Sequence, residues 1–269
     1  MLINNAKNIQ KGRLLKVKTK IWIEDNCQSK DYKRIFIMSD IHNQYKSYCA
    51  LRDKLGFSRG DLIIIDGDIV DRGEENADPL GICSEIRFEE NREYDVIMLR
   101  GNHEQWLAEA IIRYCETGIK EYSYNSLEIL AKELSKEELL GYANWMLELP
   151  LGLEMQVRGF RRKFKIAHAS TLDFSSVEES LMGSYNFYLE GLKDRKYTSI
   201  VGHTITSMVR YYFEEFSPEE EKEDTDIFRI GNKMWFIDCG NGYRDEPDFP
   251  GKLGCVELIN VGKAKEHYI

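Results

Sequence analysis

Residues 62–73 read LIIIDGDIVDRG. Four apolar residues without polar alternation, followed by a glycine between two acids, are the pattern of a strand covered on both faces that ends in a turn. The same grammar recurs at residues 34–38 (RIFIM) and 96–99 (VIML), each run again giving way to polar residues. Between the first two strands lies YKSYCALRDKL, residues 45–55, helical in period and stopped by Gly56. Strand, helix, strand is a βαβ unit, so the sheet is expected to be parallel here.

The residues that follow each strand carry the chemistry. IFIMSDIHNQ (35–44) supplies Asp40 and His42, the central stretch supplies Asp68, Asp71 and Arg72, and VIMLRGNHE (96–104) supplies Arg100, Asn102 and His103. Further on, FKIAHAS (164–170) leads to His168 and SIVGHT (199–204) to His203. Loops at the carboxyl ends of strands in an open α/β sheet converge on one crevice, so these side chains are expected to meet. Carboxylate oxygen with imidazole nitrogen suits Mn, Fe or Zn, and no cysteines cluster to suggest a structural zinc. Two ions ~3.5–4 Å apart and sharing a carboxylate would clamp both the attacking and the leaving oxygen of an in-line phosphoryl displacement. Each motif alone also has a plain reading: a loop, a tight turn with a surface ion pair, a helix-capping turn, or a core histidine. Their conjunction favours one site.

In order and content the five motifs resemble those of the phosphoprotein phosphatase family, the bacterial-type serine/threonine phosphatases within the calcineurin-like metallophosphoesterases. The resemblance covers most of residues 34–258 and is strongest over 35–104. It implies an α/β fold, an αββα sandwich of two mixed β-sheets flanked by helices, with a helical insertion at about 104–148. Within that stretch Ser135 and Glu138 have the spacing of a capping box ahead of ELLGYANWMLEL. The family's site implies that Asp40 and His42 hold one divalent transition-metal ion, that Asp68 bridges, and that Asn102, His168 and His203 hold the second. Manganese is the first expectation, with iron or zinc as alternatives. A water activated between the ions would attack phosphorus, and His103, held by Asp71, would protonate the leaving oxygen. Arg72 and Arg100 match the family's phosphate-gripping arginines.

The sequence departs from the family in places. Ser39 and Asn43 stand where the first motif usually has glycines, and Ser170 where glycine or aspartate is common. A further phosphate-binding arginine has no clear counterpart; Arg195 is the nearest. By analogy DCGNGY (238–243) lies near the rim of the site, although a turn after a core strand accounts for it equally.

Composition narrows the function classes. A 269-residue chain that is 42% hydrophobic can bury a large core, and no composition break divides it. We expect residues 1–33 to form a leader with an early strand, and 34–269 the domain. The leader carries six Lys or Arg and no acid through Lys20, but no apolar signal core. Six scattered cysteines read as reduced thiols, and a cytoplasmic location is expected. A net charge of −9 argues against a nucleic-acid partner, and no apolar run is long enough for a membrane span. Cysteine-phosphatase chemistry is excluded: the nearest approach to C-x5-R, Cys239 to Arg244, is one residue short. A phosphate-binding P-loop is absent too. The expected activity is hydrolysis of phosphomonoesters, phosphoserine or phosphothreonine of proteins among them. The alternatives are a dinucleoside polyphosphate hydrolase and a metal-stabilised module without turnover. The segment EEFSPEEEKEDTD (214–226), eight acids against Lys222, is either a substrate filter or a solvated loop.

Overall fold

The computed structural model describes residues 22–25, 32–73, 76–88, 93–172, 176–183, 185–213, 224–259 and 261–269. The expected basic leader before residue 22 and most of the acidic segment, 214–223, lie outside the described residues. The last two acids of that segment are anchored, Asp224 by an ion pair with Arg210 and Asp226 by one with Lys252.

Eleven strands form two mixed sheets among the described residues. The five-stranded sheet has the order β11-β10-β2-β3-β4, with β2 (Arg34–Met38), β3 (Asp61–Asp66), β4 (Asp95–Leu99), β10 (Gly254–Ile259) and β11 (Lys263–Tyr268). As the βαβ grammar predicts, β2, β3 and β4 are parallel; β10 lies antiparallel to β2 and carries β11 at the edge. The six-stranded sheet has the order β1-β5-β6-β7-β9-β8: β1 (Trp22–Asp25), β5 (Gly152–Met155), β6 (Lys163–Ile166), β7 (Tyr197–Val201), β8 (Phe228–Ile230) and β9 (Met234–Phe236).

The lack of alternation in β3 has its cause in the layering, since all six of its residues are buried. Leu62 and Ile64 face the other sheet, in one core cluster with Ile166, Ile200 and Ile237. Ile63 and Ile65 face helices α1 (Tyr45–Leu55), α2 (Pro79–Arg87), α3 (Asn102–Thr117), α4 (Ser126–Glu133) and α5 (Lys136–Glu148). Beyond the six-stranded sheet, α7 (Tyr185–Gly191) and α8 (Thr206–Tyr212) cover Phe228, Met234 and Phe236 through Tyr188 and Val209; α6 (Val177–Met182) precedes them. The four layers are the expected αββα sandwich.

The helical insertion is three helices, and α3 begins two residues earlier than expected. Its start is fixed by the Glu104 carboxylate, which accepts from the Gly101 N–H at 2.7 Å. The Ser135–Glu138 capping box opens α5 as read: Ser135 N–H donates to Glu138 Oε2 at 2.8 Å. Strand β11 has no sequence signal, because KAKEHY is a charged, solvent-facing edge strand without an apolar run.

Candidate metal centre

The six predicted ligands come together at one end of the two sheets. Asp40 follows β2, Asp68 follows β3, Asn102 opens α3 after β4, His168 follows β6 and His203 follows β7. Seven non-glycine residues among those described have left-handed backbone, and all lie at this site: Asp40, His42, Asn43, Asp68, Asp71, Arg72 and His203. Such conformations cost about 1–3 kcal/mol each and persist only where the surroundings impose them. Glycine supplies the remaining freedom: a Cβ on Gly101 would lie 2.1 Å from Asp68 Oδ1.

Asp68 is the centre of the arrangement. Its Oδ2 lies 3.2 Å from His168 Nε2 and 3.9 Å from both His42 Nε2 and His103 Nε2. His42, Asp68 and His103 form one group with metal-ligand spacing, and Asp68, His168 and His203 a second. Two backbone carbonyls set the imidazoles. His168 Nδ1 is 2.8 Å from the Asp66 carbonyl and His42 Nδ1 is 3.0 Å from that of Val70. Each Nδ1 therefore donates to its carbonyl and each ring turns its Nε2 inward. Burial works against a charged His168, but the Asp68 carboxylate overcomes it and raises that imidazole well above its usual range. His168 Nε2 lies 2.9 Å from Asn102 Oδ1 and 3.2 Å from Asp68 Oδ2. His203 Nδ1 lies 2.8 Å from the same Asn102 oxygen. Asp40 Oδ1 is buried with no hydrogen-bond partner among the described residues. Converging acceptors and an orphaned carboxylate oxygen are what a cation relieves, so the donor set fits divalent transition metals.

The electrostatics agree. Burial, and then the neighbouring Asp238, raise the Asp40 carboxyl well above its ordinary range. Burial also works against ionised Asp68, but the His168 and His103 imidazoles overcome it and hold that carboxyl well below. Burial and the adjacent histidines depress His42 well below the usual range and bring His203 down to about 4. His42 and His203 are thus kept neutral, as ligands must be.

His103 and Asp71 meet as the sequence suggested: His103 Nδ1 is 2.8 Å from Asp71 Oδ2. The Asp71 N–H donates to Ser126 Oγ at 2.8 Å, which ties the pair to the start of α4. Arg72 reaches over the Tyr243 ring, 4.3 Å from its centroid, and lines the adjoining cavity. Arg100 corrects the expectation. Its guanidinium donates to the Leu147 and Leu149 carbonyls at the end of α5 and to Gln105 Oε1 at 2.9 Å, and burial lowers its pKa to about 10. It caps a helix C-terminus instead of facing a phosphate. Arg195 is not brought to the site either; its carbonyl accepts from Arg162 beside the start of β7, the opposite end of that strand from His203.

The departures from the family pattern have partners. Ser39 Oγ lies 2.5 Å from Asp40 Oδ2 and 2.8 Å from the Asp66 carbonyl. Asn43 Nδ2 donates to the Arg72 carbonyl at 3.1 Å and to Ser126 Oγ at 3.0 Å, lacing the first motif to the insertion.

Three further residues belong to the site. Glu104 accepts from the N–H groups of Asp68 and Ile69, both at 2.8 Å, and so shapes the turn that presents Asp68. Asp238, after β9, repeats the strand-then-acid grammar and was legible by that rule; burial pushes its carboxyl up to about 6. Tyr122, whose hydroxyl donates to Asp71 Oδ2, sits in a loop without a sequence signal.

Asp66 is anomalous. Both carboxylate oxygens are buried without hydrogen-bond partners among the described residues, and burial pushes the group up to about 8. Unfolded, its pKa would be about 3.9. Between those values the native state binds more protons than the unfolded chain, so this residue makes stability fall as pH rises from about 4 to 8. Asp66→Asn is expected to remove that slope. In thermal melts of chelated protein the variant should gain on the wild type between pH 5 and pH 8, by on the order of 1–3 kcal/mol. Parallel pH dependences would refute the assignment.

Comparison with known proteins identifies the family and its fold. Residues 33–231 match the family model described as calcineurin-like phosphoesterase, and the chain belongs to that family, with it to the hydrolases of phosphoesters. Serine/threonine-protein phosphatase 2 of Salmonella typhimurium is 26% identical over 225 residues, 76% of this chain and 93% of that protein. Serine/threonine-protein phosphatase PP1-delta of Caenorhabditis elegans is 39% identical over 72 residues, 26% of this chain and 22% of that protein's length. Among solved structures, a candidate diadenosine tetraphosphatase superposes with a TM-score of 0.61 at 14% identity, covering 93% of this chain and 98% of that one. A protein serine/threonine phosphatase from Saccharomyces cerevisiae superposes with a TM-score of 0.56 at 12% identity, covering 93% and 84%. Among the described residues no helix is long and apolar enough to cross a membrane.

Proposed function

We propose that this chain is a cytoplasmic phosphomonoesterase dependent on two divalent transition metals, manganese first, and that it acts on phosphorylated side chains of proteins, phosphoserine and phosphothreonine among them. The observation that carries this reading is the gathering of His42, His168, His203 and Asn102 about Asp68, with Asp40 beside His42 and ligand atoms at metal-binding spacing. When bound, the metals supply Lewis acidity and a nucleophilic water at neutral pH. The chain's own residues do the rest. Arg72 binds the phosphate oxygens from the open side of the site, where a planar guanidinium grips two of them. Asp71 orients the His103 ring through Nδ1, so that Nε2 delivers a proton to the leaving oxygen as the P–O bond breaks. The similarity to serine/threonine phosphatases supports the substrate class, and the five described cysteines, all free thiols, support the compartment.

A second reading, a dinucleoside polyphosphate hydrolase, draws support from the structural likeness to a candidate diadenosine tetraphosphatase. The cavity beside Arg72 weighs against it: among the described residues that line it Arg72 is the one cation, and Asp245 and Glu246 stand on its wall. A polyphosphate chain needs several cations along its length. A metal-stabilised module without turnover would have no use for the His103–Asp71 pair. Metal-reconstituted protein assayed on an aryl phosphate, phosphopeptides and a dinucleoside tetraphosphate is expected to hydrolyse the first two. Activity on the tetraphosphate alone would overturn the substrate class, and activity on none of them the enzymatic reading.

A further inference from the structure

Two tyrosines flank the groups assigned to the phosphate and to the leaving oxygen, and they line the same cavity of about 540 Å³. Tyr124 packs against the His103 ring, centroids 4.6 Å apart at 63°. Tyr243 lies beneath the Arg72 guanidinium at 4.3 Å. Tyr124 is held in place: its ring lies within 5° of parallel to that of Trp106, and Tyr122 meets it edge-on at 5.6 Å. Tyr124 joins the His103 ring to this cavity, so the atoms next to an oxygen protonated by His103 would enter the space that Tyr124 and Tyr243 line. A serine ester places a single methylene there. A phenolic ester places a ring, which aromatic walls favour through stacked or edge-on contact. Farther out the exposed Asp245 and Glu246 stand on the cavity wall, which disfavours a second phosphate and favours basic neighbours.

We propose that Tyr124 and Tyr243 form an aromatic slot for the leaving group, and that its preferred occupant is phosphotyrosine in a peptide with flanking Lys or Arg. This rests on the phosphomonoesterase reading and narrows it. Neither tyrosine is a metal ligand or part of the His103–Asp71 pair, so both can be changed while the metal-binding donors remain.

The test separates the slot from the reaction. Non-hydrolysable benzylphosphonate and propylphosphonate are titrated calorimetrically into metal-loaded protein. Benzylphosphonate is expected to bind ~3- to 10-fold tighter. Tyr124→Leu and Tyr243→Leu should each reduce that gap to about twofold or less, while Tyr124→Phe and Tyr243→Phe, which keep the ring, should retain it. In parallel, kcat/KM is measured on one basic peptide carrying phosphotyrosine or phosphoserine, and the leucine variants should lose more on the former, mainly in KM. Wild-type protein that binds the two phosphonates equally, or binds neither, overturns the slot even if the variants misfold. So does a gap unchanged in both leucine variants. A phosphonate gap in a protein that hydrolyses neither peptide leaves the slot standing and overturns the phosphomonoesterase reading. Better turnover of a dinucleoside tetraphosphate than of the phosphotyrosine peptide overturns the choice of occupant.

Discussion

His103→Asn is expected to retain its metals and to lose turnover by ~10²–10⁴-fold, the usual contribution of a positioned general acid. The anchoring of the ring motivates this: Nδ1 is committed to Asp71 at 2.8 Å, and Asp71 is itself held by Tyr122, so Nε2 alone faces the site. Asparagine fills similar space near Asp71 but has no proton to give. The deficit should therefore be largest for alkyl phosphates, whose leaving oxygen departs as a strong base, and smallest for a nitrophenyl phosphate, whose oxygen needs no proton. Equal deficits across leaving groups would refute the role. The geometry also names the rival outcome, because His103 Nε2 lies as near Asp68 Oδ2 as His42 Nε2 does, 3.9 Å in each case. Elemental analysis of the variant decides between them: loss of an ion would make His103 a ligand.

Much of this site was legible because its residues obey one rule, a polar side chain immediately after a buried strand. The rule found Asp40, Asp68, Asn102, His168 and His203, and applied once more it reaches Asp238 after β9. It works because β3 and its neighbours are covered on both faces, which makes strand ends abrupt in the sequence as well as in space. It fails for side chains whose partners lie elsewhere in the chain. Arg100 occupies the right position in sequence, but its guanidinium is captured by carbonyls at the end of α5, and nothing near Arg100 says where α5 stops. Tyr122 and Tyr124 lie in the loop between α3 and α4, where no periodicity marks them, and only the packing of the insertion brings them to Asp71 and His103. Asn43 reads as a lost glycine until its contacts with Ser126 and the Arg72 carbonyl are seen.

Asp68→Asn is expected to deprive the protein of both ions at once, with turnover falling by on the order of 10³-fold or more. No other candidate ligand lies in both groups of donors, His42 with His103 on one side and His168 with His203 on the other. Its Oδ1 accepts the His103 N–H at 3.0 Å, which leaves Oδ2 directed at the three imidazole nitrogens. Asparagine keeps the shape and removes the charge that those histidines hold in place, and either orientation of its amide takes an acceptor from one end. The single-sided ligands supply the contrast. His42→Asn should lower the occupancy of one ion and His203→Asn that of the other, each leaving about one ion per chain after gel filtration. If Asp68→Asn also retains one full ion per chain, Asp68 belongs to a single site and the bridging assignment is wrong. If the wild type itself binds only one, the binuclear reading falls with it, and the two histidines around Asn102 would mark the site that remains.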